Sequence, residues 1–139
     1  PGSPLKHLNR IASGGELSRF LLAVKLCLIN DQTDQSQVFD EIDRGVGGAT
    51  ATAIGRRLLS LSKKEQVLVV THSPQVAAFS DNHIKVEKLT DGNNTYTKVK
   101  TLDKEEIIEE VARMLSGDLV SNEAEAAAKS LISASIEIS

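Results

Sequence analysis

Four short stretches of the chain carry groups able to do chemistry, and they come in a fixed order. These are Ser13-Gly14-Gly15-Glu16, then Asp40-Glu41 with Asp43, then the glycine-rich Arg44-Gly45-Val46-Gly47-Gly48, then Thr71-His72. Two adjacent glycines at the start of a helix let an anion approach unpaired backbone N–H groups, at the positive end of the helix dipole, with no Cβ in the way. Ser13 and Glu16 also have the Ser-x-x-Glu spacing of a capping box, which would satisfy the same helix end with no ligand at all. Asp40 and Glu41 close a strand-like run. Ligands of open α/β sheets gather at the carboxyl ends of strands, so the two acids can divide the labour: Asp40 holding Mg²⁺ through water, Glu41 orienting or deprotonating an attacking water. With Asp43 they can equally be solvated loop acids that cap a helix. His72 closes the next strand, where its imidazole would enter the same crevice and donate a hydrogen bond to a phosphate oxygen. His7 and His83 have no second His or Cys at metal-ligand spacing, and they read as structural.

The elements that must position these groups follow from hydrophobic spacing. After Ser13, Leu17, Phe20, Leu21, Val24 and Leu28 recur at intervals of three and four, predicting one long helix that ends near Asn30-Asp31. Gln37-Val38-Phe39-Asp40 reads as a short strand, and the glycine-rich turn leads into a helix marked by Ile54, Leu58 and Leu61. Residues 67–70 are apolar at every position and, Leu68 apart, β-branched, as in a strand covered by helices on both faces. Strand, helix, strand implies a parallel pair. Past Pro74 a short helix holds Val76 and Phe79. Ile84 and Val86, then Thr95, Thr97 and Val99, alternate with polar residues around Asp91-Gly92, which predicts an antiparallel hairpin. A helix with Ile107, Ile108, Val111, Ala112 and Leu115 stops at Gly117, and an alanine-rich one starts near Ser121 and runs through Ala128.

With 139 residues, 40% of them hydrophobic, the chain supports one packed domain. Sixteen basic against nineteen acidic residues leave a net charge of -3. That balance excludes a polyanion-binding tail, because phosphate-backbone binding needs clustered Lys and Arg, and Arg56-Arg57 with Lys63-Lys64 is too small a group. No run approaches the roughly 20 apolar residues of a membrane helix, and no signal peptide is legible. The single cysteine, Cys27, falls in an apolar helical pattern and is expected to be a buried thiol in a reducing cytoplasm. Pro1-Gly2-Ser3 resembles a remnant of cloning, so residues 1–7 are set aside as a lead-in and residues 8–139 are taken as one lobe.

One pattern is missing. The phosphate cradle G-x-x-x-x-G-K-[ST] needs two glycines five apart. The nine glycines stand at 2, 14, 15, 45, 47, 48, 55, 92 and 117, and no pair has that separation. This chain is expected to need a second lobe to complete a nucleotide site.

The strings Ile11-Ala12-Ser13-Gly14-Gly15-Glu16-Leu17-Ser18-Arg19, Val38-Phe39-Asp40-Glu41-Ile42-Asp43-Arg44-Gly45-Val46-Gly47-Gly48, Thr71-His72-Ser73-Pro74-Gln75-Val76-Ala77-Ala78 and Glu110-Val111-Ala112-Arg113-Met114-Leu115-Ser116-Gly117 are together similar to the RecN family of bacterial DNA-repair proteins. The resemblance covers about residues 8 to 132. That family resembles the SMC branch of ABC-type ATPases: an N-terminal lobe with Walker A, a long coiled coil, and a C-terminal lobe with the remaining motifs. The resemblance implies an α/β fold, the C-terminal half of an ABC/SMC-type P-loop NTPase head, with a mainly parallel sheet flanked by helices plus an antiparallel hairpin. It also implies two heads sandwiching ATP and Mg²⁺. Ser13, Gly14, Gly15 and Glu16 would form a signature loop reaching a γ-phosphate in trans, while Asp40, Glu41 and His72 act in cis, with Asp43 and Gly47 beside the nucleotide.

The partners so implied are the N-terminal lobe, a second head and DNA, with no membrane. The setting is cytoplasmic and nucleoid-associated, in the recombination and double-strand-break repair of the SOS response. Gly47 departs from the pattern, standing where many ABC and SMC heads place an aspartate, and the role of that turn stays open. Two other readings are weighed: the head of another SMC-like or transport-type ATPase, and a non-catalytic interaction module whose glycines and acids are incidental. The 45–48 turn and Thr71-His72-Ser73-Pro74-Gln75 argue against transport.

Overall fold

The computed structural model describes residues 14–28, 36–92 and 94–136. In chain order these form α1 (Gly14–Leu28), β1 (Ser36–Asp40), α2 (Gly48–Ser62), β2 (Gln66–Val70), α3 (Pro74–Ala77), β3 (Ile84–Asp91), β4 (Asn94–Thr101), α4 (Lys104–Ser116) and α5 (Asn122–Ile136). β1 and β2 pair in parallel with Asp40 opposite Val70, as a strand–helix–strand crossover requires. β3 and β4 pair antiparallel, from Ile84 opposite Thr101 to Asp91 opposite Asn94. Gly92 takes the turn between them at φ 58, a left-handed conformation that glycine adopts without steric cost.

The core lies where α2 crosses the parallel pair. Ile54, Leu58 and Leu61 of α2 pack with Phe39 of β1, Leu22 of α1, Ile42 and Val76, and Val67 and Val69 of β2 close the cluster. Full burial of each large side chain contributes about 1.5–3 kcal/mol, so α2 is the element that holds β1 and β2 in register. The approach is tight at Gly55, where a β-carbon would lie 2.4 Å from Cδ2 of Phe79. A second cluster is built from small residues: Ala77, Val111, Ala112, Ala124 and Ala128 let α4 and α5 pack closely on each other and on the end of α3. The buried Ser135 hydroxyl donates to the Ala78 carbonyl at 2.6 Å and ties α5 to the same place.

α4 begins with a capping box. The Asp103 carboxylate accepts from the backbone N–H groups of Glu105 and Glu106 at 3.0 and 2.9 Å, and Glu106 Oε2 accepts from Asp103 N at 3.2 Å. Its other end stops at Gly117, with φ 84, as the sequence implied.

The stripe Leu17, Phe20 and Leu21 on α1 is exposed, and Leu22 makes the buried contact. Two expectations are corrected. β2 is covered on one face only: Leu68 and Val70, with Val38 of β1, form an open apolar face about half to two-thirds exposed. Cys27 is exposed rather than buried, because it sits two helical turns from Phe20 and shares its outward stripe. Apolar spacing reports that a face is suited to burial, not what lies on it. An open groove of about 1210 Å³ between β2 and β3, lined by Val67, Val69, Phe79, Ile84, Val86 and Leu89 among others, has the same character. The expected helix end at Asn30-Asp31, Ser13 and His7 lie outside the described residues. Among the described residues no helix is long and apolar enough to cross a membrane.

Candidate nucleotide site

Asp40 is the last residue of β1 and pairs with Val70, the last residue of β2. The backbone N–H of Glu41 donates to the Val70 carbonyl at 3.2 Å, extending the ladder by one residue. The two strands therefore release their chains side by side at one carboxyl edge, Asp40 and Glu41 from one and Thr71 and His72 from the other. Asp40, Glu41 and His72 are all exposed there.

Consecutive strand residues point to opposite faces, so two acids in a row can share an edge only if the backbone breaks its alternation. It does so at Glu41, whose φ is 49. A left-handed conformation costs an L-residue about 1–2 kcal/mol and persists only where the surroundings over-determine it. Here the ladder bond to Val70 holds one side, the Arg44 N–H donating to the Glu41 carbonyl at 3.0 Å holds the other, and the Arg44 guanidinium pairs with Glu41 Oε2 at 2.7 Å.

Asp43 is not a solvated loop acid: it is 3% exposed. Its Oδ2 accepts from the Thr71 hydroxyl and from the backbone N–H of Ser73 at 3.0 Å. The Thr71 hydroxyl oxygen in turn accepts from the same Ser73 N–H at 3.0 Å. The tripeptide with His72 at its centre is thus fastened to the turn that carries Glu41. Oδ1 of Asp43 is buried with no hydrogen-bond partner among the described residues.

Gly47 is the N-cap of α2, its carbonyl accepting from Thr50 and Ala51 at 3.0 and 3.2 Å. A β-carbon there would meet nothing within 4 Å, so packing does not require glycine at that position. Gly14, Gly15 and Glu16 are the first residues of α1. Ser13, the remaining residue of that expected loop, lies outside the described residues. Among the described residues no three His, Cys, Asp or Glu side chains gather into a metal cage.

Two residues escaped the sequence reading. Arg19 of α1 donates from one guanidinium nitrogen to the carbonyls of Ile42 at 3.2 Å and Arg44 at 3.0 Å, joining the glycine-led helix to the acid-bearing turn. Its only sequence signal is its place three residues before Leu22, on the face that meets the core. Thr71 was noted as a strand end, and nothing in its type foretold that it would bind Asp43.

A parallel pair with acids and an imidazole at its carboxyl edge, followed by an antiparallel hairpin and two helices, makes an α/β fold that has a solved counterpart. The chain superposes with a TM-score of 0.56 on a solved chain from work on the ATP-driven dimerization and DNA-stimulated activation of SMC ATPases, at 23% identity, covering 85% of this chain and 70% of that one. In sequence, it is similar to the DNA repair protein RecN of Streptomyces coelicolor, 48% identical over 132 residues. It is equally similar to RecN of Rickettsia felis, at 48%, and close to that of Xylella fastidiosa, at 46%. Each match takes in 95% of this chain but only 23–24% of the relative, so the chain spans about a quarter of their length. No protein-family model matches.

Proposed function

We propose that this chain is the C-terminal lobe of the ATPase head of a RecN-like DNA-repair protein, and that it hydrolyses ATP only when joined to an N-terminal lobe bearing the phosphate cradle. The observation that carries the reading is the shared carboxyl edge: Asp40 opposite Val70, with Glu41 and His72 leaving adjacent parallel strands. Ligands of open α/β sheets bind at such an edge.

The acids present fit Mg²⁺. It prefers one or two carboxylates completed by water and phosphate oxygens. The exposed Asp40 offers one carboxylate, and Asp43 keeps a buried oxygen that no donor among the described residues satisfies. When bound, Mg²⁺ supplies charge neutralisation on the phosphate oxygens. Glu41 orients the attacking water and takes its proton, and His72 donates to a γ-phosphate oxygen. Gly14 and Gly15 turn the positive end of α1 toward the nucleotide of a second head, so that ATP clamps two heads together and hydrolysis releases them.

The open apolar face at Val38, Leu68 and Val70, and the groove between β2 and β3, would be covered by the N-terminal lobe. Relatives four times as long contain ample chain for it. DNA contact falls elsewhere in the longer protein, since this lobe carries net charge -3. Such an ATPase works in the cytoplasm at the nucleoid, in double-strand-break repair and recombination.

The deciding experiment is Glu41→Gln in the full-length protein. Hydrolysis is expected to slow by orders of magnitude, with an ATP-bound head dimer accumulating. Unchanged turnover would make the acids incidental and favour an interaction module.

A further inference from the structure

Among the described residues a polar connection stands between the glycine-led α1 and the acids after β1, and it is made by a residue with no place in the scheme above. Arg19 donates from a single guanidinium nitrogen to two carbonyls, those of Ile42 and Arg44. These two residues alternate with Glu41 and Asp43, so Arg19 grips the backbone on either side of the buried Asp43 and one residue after the strained Glu41. The Arg44 side chain then reaches back to Glu41 Oε2 at 2.7 Å. A continuous path runs from α1 through Arg19 and the Arg44 peptide to the carboxylate of Glu41.

We infer, building on the reading of Glu41 and of the α1 glycines given above, that Arg19 is a positioning residue that makes the start of α1 and the acid-bearing turn move as one body, so that occupancy at one nucleotide site sets the geometry of hydrolysis at the other. Three physical points support it. The guanidinium stays charged at any working pH, and its hydrogen bonds are roughly twice as strong as neutral ones. Gly15 and Arg19 are four residues apart, about 6 Å along one rigid helix, so displacement at the glycines is transmitted rather than absorbed. Glu41 holds a left-handed φ of 49, a conformation that needs external support, and the turn's own bonds to Val70 and Thr71 fix it to β2 but not to α1. Leu22 also anchors α1, but to the apolar core; it secures the helix, whereas Arg19 secures the turn to the helix. In a two-head clamp the α1 glycines face one ATP and Glu41 faces the other, which makes Arg19 a coupling contact between two sites.

The test uses the full-length protein and follows ATP turnover against ATP concentration. Wild type is expected to be cooperative in ATP. Arg19→Ala is expected to lower kcat about tenfold with KM within about twofold, as a misplaced catalytic group does, and to bring the Hill coefficient to one. Arg19→Lys, which keeps a charged donor on a different arm, recovers part of both. Leu22→Ala serves as the structural comparison: it lowers thermal stability and keeps the cooperativity. The inference is overturned by a non-cooperative wild type, by unchanged turnover in Arg19→Ala, or by an Arg19→Ala loss that tracks unfolding as the Leu22→Ala loss does. Glu41→Gln run alongside separates the levels: if it leaves turnover intact, the reading of the site has failed, whereas full loss there with a silent Arg19→Ala removes the coupling role alone.

Discussion

The backbone N–H of Ser73 lies 3.0 Å from Oδ2 of Asp43, across thirty residues of sequence. This contact, with the Thr71 hydroxyl on the same oxygen, sets the loop of His72 against the turn of Glu41. Removing the carboxylate leaves the part-buried Thr71 hydroxyl without its acceptor and the Ser73 N–H with the Thr71 oxygen alone, a loss of about 1–3 kcal/mol. Asp43→Ala is therefore expected to lower the urea-unfolding free energy of the chain by that amount. Asp43→Asn, which keeps an acceptor for Ser73, is expected to lower it less, yet still depress turnover in the full-length protein because the loop of His72 is held less firmly. Wild-type stability in Asp43→Ala would show that the staple is not a structural requirement.

The missing cradle leads to a prediction about the isolated chain. Phosphate affinity in nucleotide-binding folds comes chiefly from a loop whose N–H groups surround the phosphates, and no glycine pair here has the spacing for one. Isothermal titration with Mg-ATP at millimolar ligand is expected to show no micromolar site, and mixing with the matching N-terminal lobe is expected to restore turnover. Micromolar binding by the 139-residue chain alone would contradict it.

The order of elements and the groups at the carboxyl edge were legible because they are local. Residues 67–70 could be read as a strand from β-branching, and Asp40, Glu41 and His72 were placed by where their strands end. The state of each side chain was not local. Asp43 was indistinguishable in sequence from a solvated acid, since its partners Thr71 and Ser73 lie on another strand's exit. Arg19 reads as one more helix cation until Ile42 and Arg44 are folded beneath it. The Asp103-x-x-Glu106 capping box could have been read directly, since its spacing is the same as that noted at Ser13 and Glu16. Covered faces were misjudged at Cys27 and Leu68 because apolar spacing marks a face suited to burial without saying what lies on it.

Gly55 and Phe79 give a packing prediction with a defined sign. Alanine in mid-helix gains about 1 kcal/mol of propensity over glycine, but its β-carbon would sit 2.4 Å from the Phe79 ring, which is itself buried. Overpacking of a tight core costs about 1–3 kcal/mol, so Gly55→Ala is expected to be destabilising overall. Phe79→Leu in the Gly55→Ala background should recover part of that loss, giving a coupling energy of at least about 0.5 kcal/mol in a double-mutant cycle. A stabilised Gly55→Ala chain would mean that the ring moves aside at no cost.

The acid limb of stability is expected to have two stages with separate origins. Glu110 is buried on α4 between Lys85 of β3, at 2.9 Å, and Arg113, at 2.6 Å. Burial by itself would raise its pKa, but hydrogen bonds from Arg113 and Lys85, with their charges, outweigh burial and hold it below the ordinary glutamate value. The fold then binds the proton less tightly than the unfolded chain does. The contribution of Glu110 is fully present above the unfolded value of about 4.3 and is lost as pH falls through the lower folded one. His83 acts earlier on the same side. Burial lowers its pKa against the opposing backbone hydrogen bonds of Ala77 and Ser80 and the charge of Glu110, so stability declines once pH falls through the unfolded histidine value of about 6.5. Urea midpoints measured from pH 8 to pH 3 should fall below about 6.5 and again below about 4.3. His83→Gln should flatten the first stage. Glu110→Gln should lower stability at pH 7, because Lys85 and Arg113 lose their counter-charge, and should flatten the second stage while leaving the first. If wild type and Glu110→Gln share the same acid limb, the α4–β3 ion cluster contributes nothing to folding.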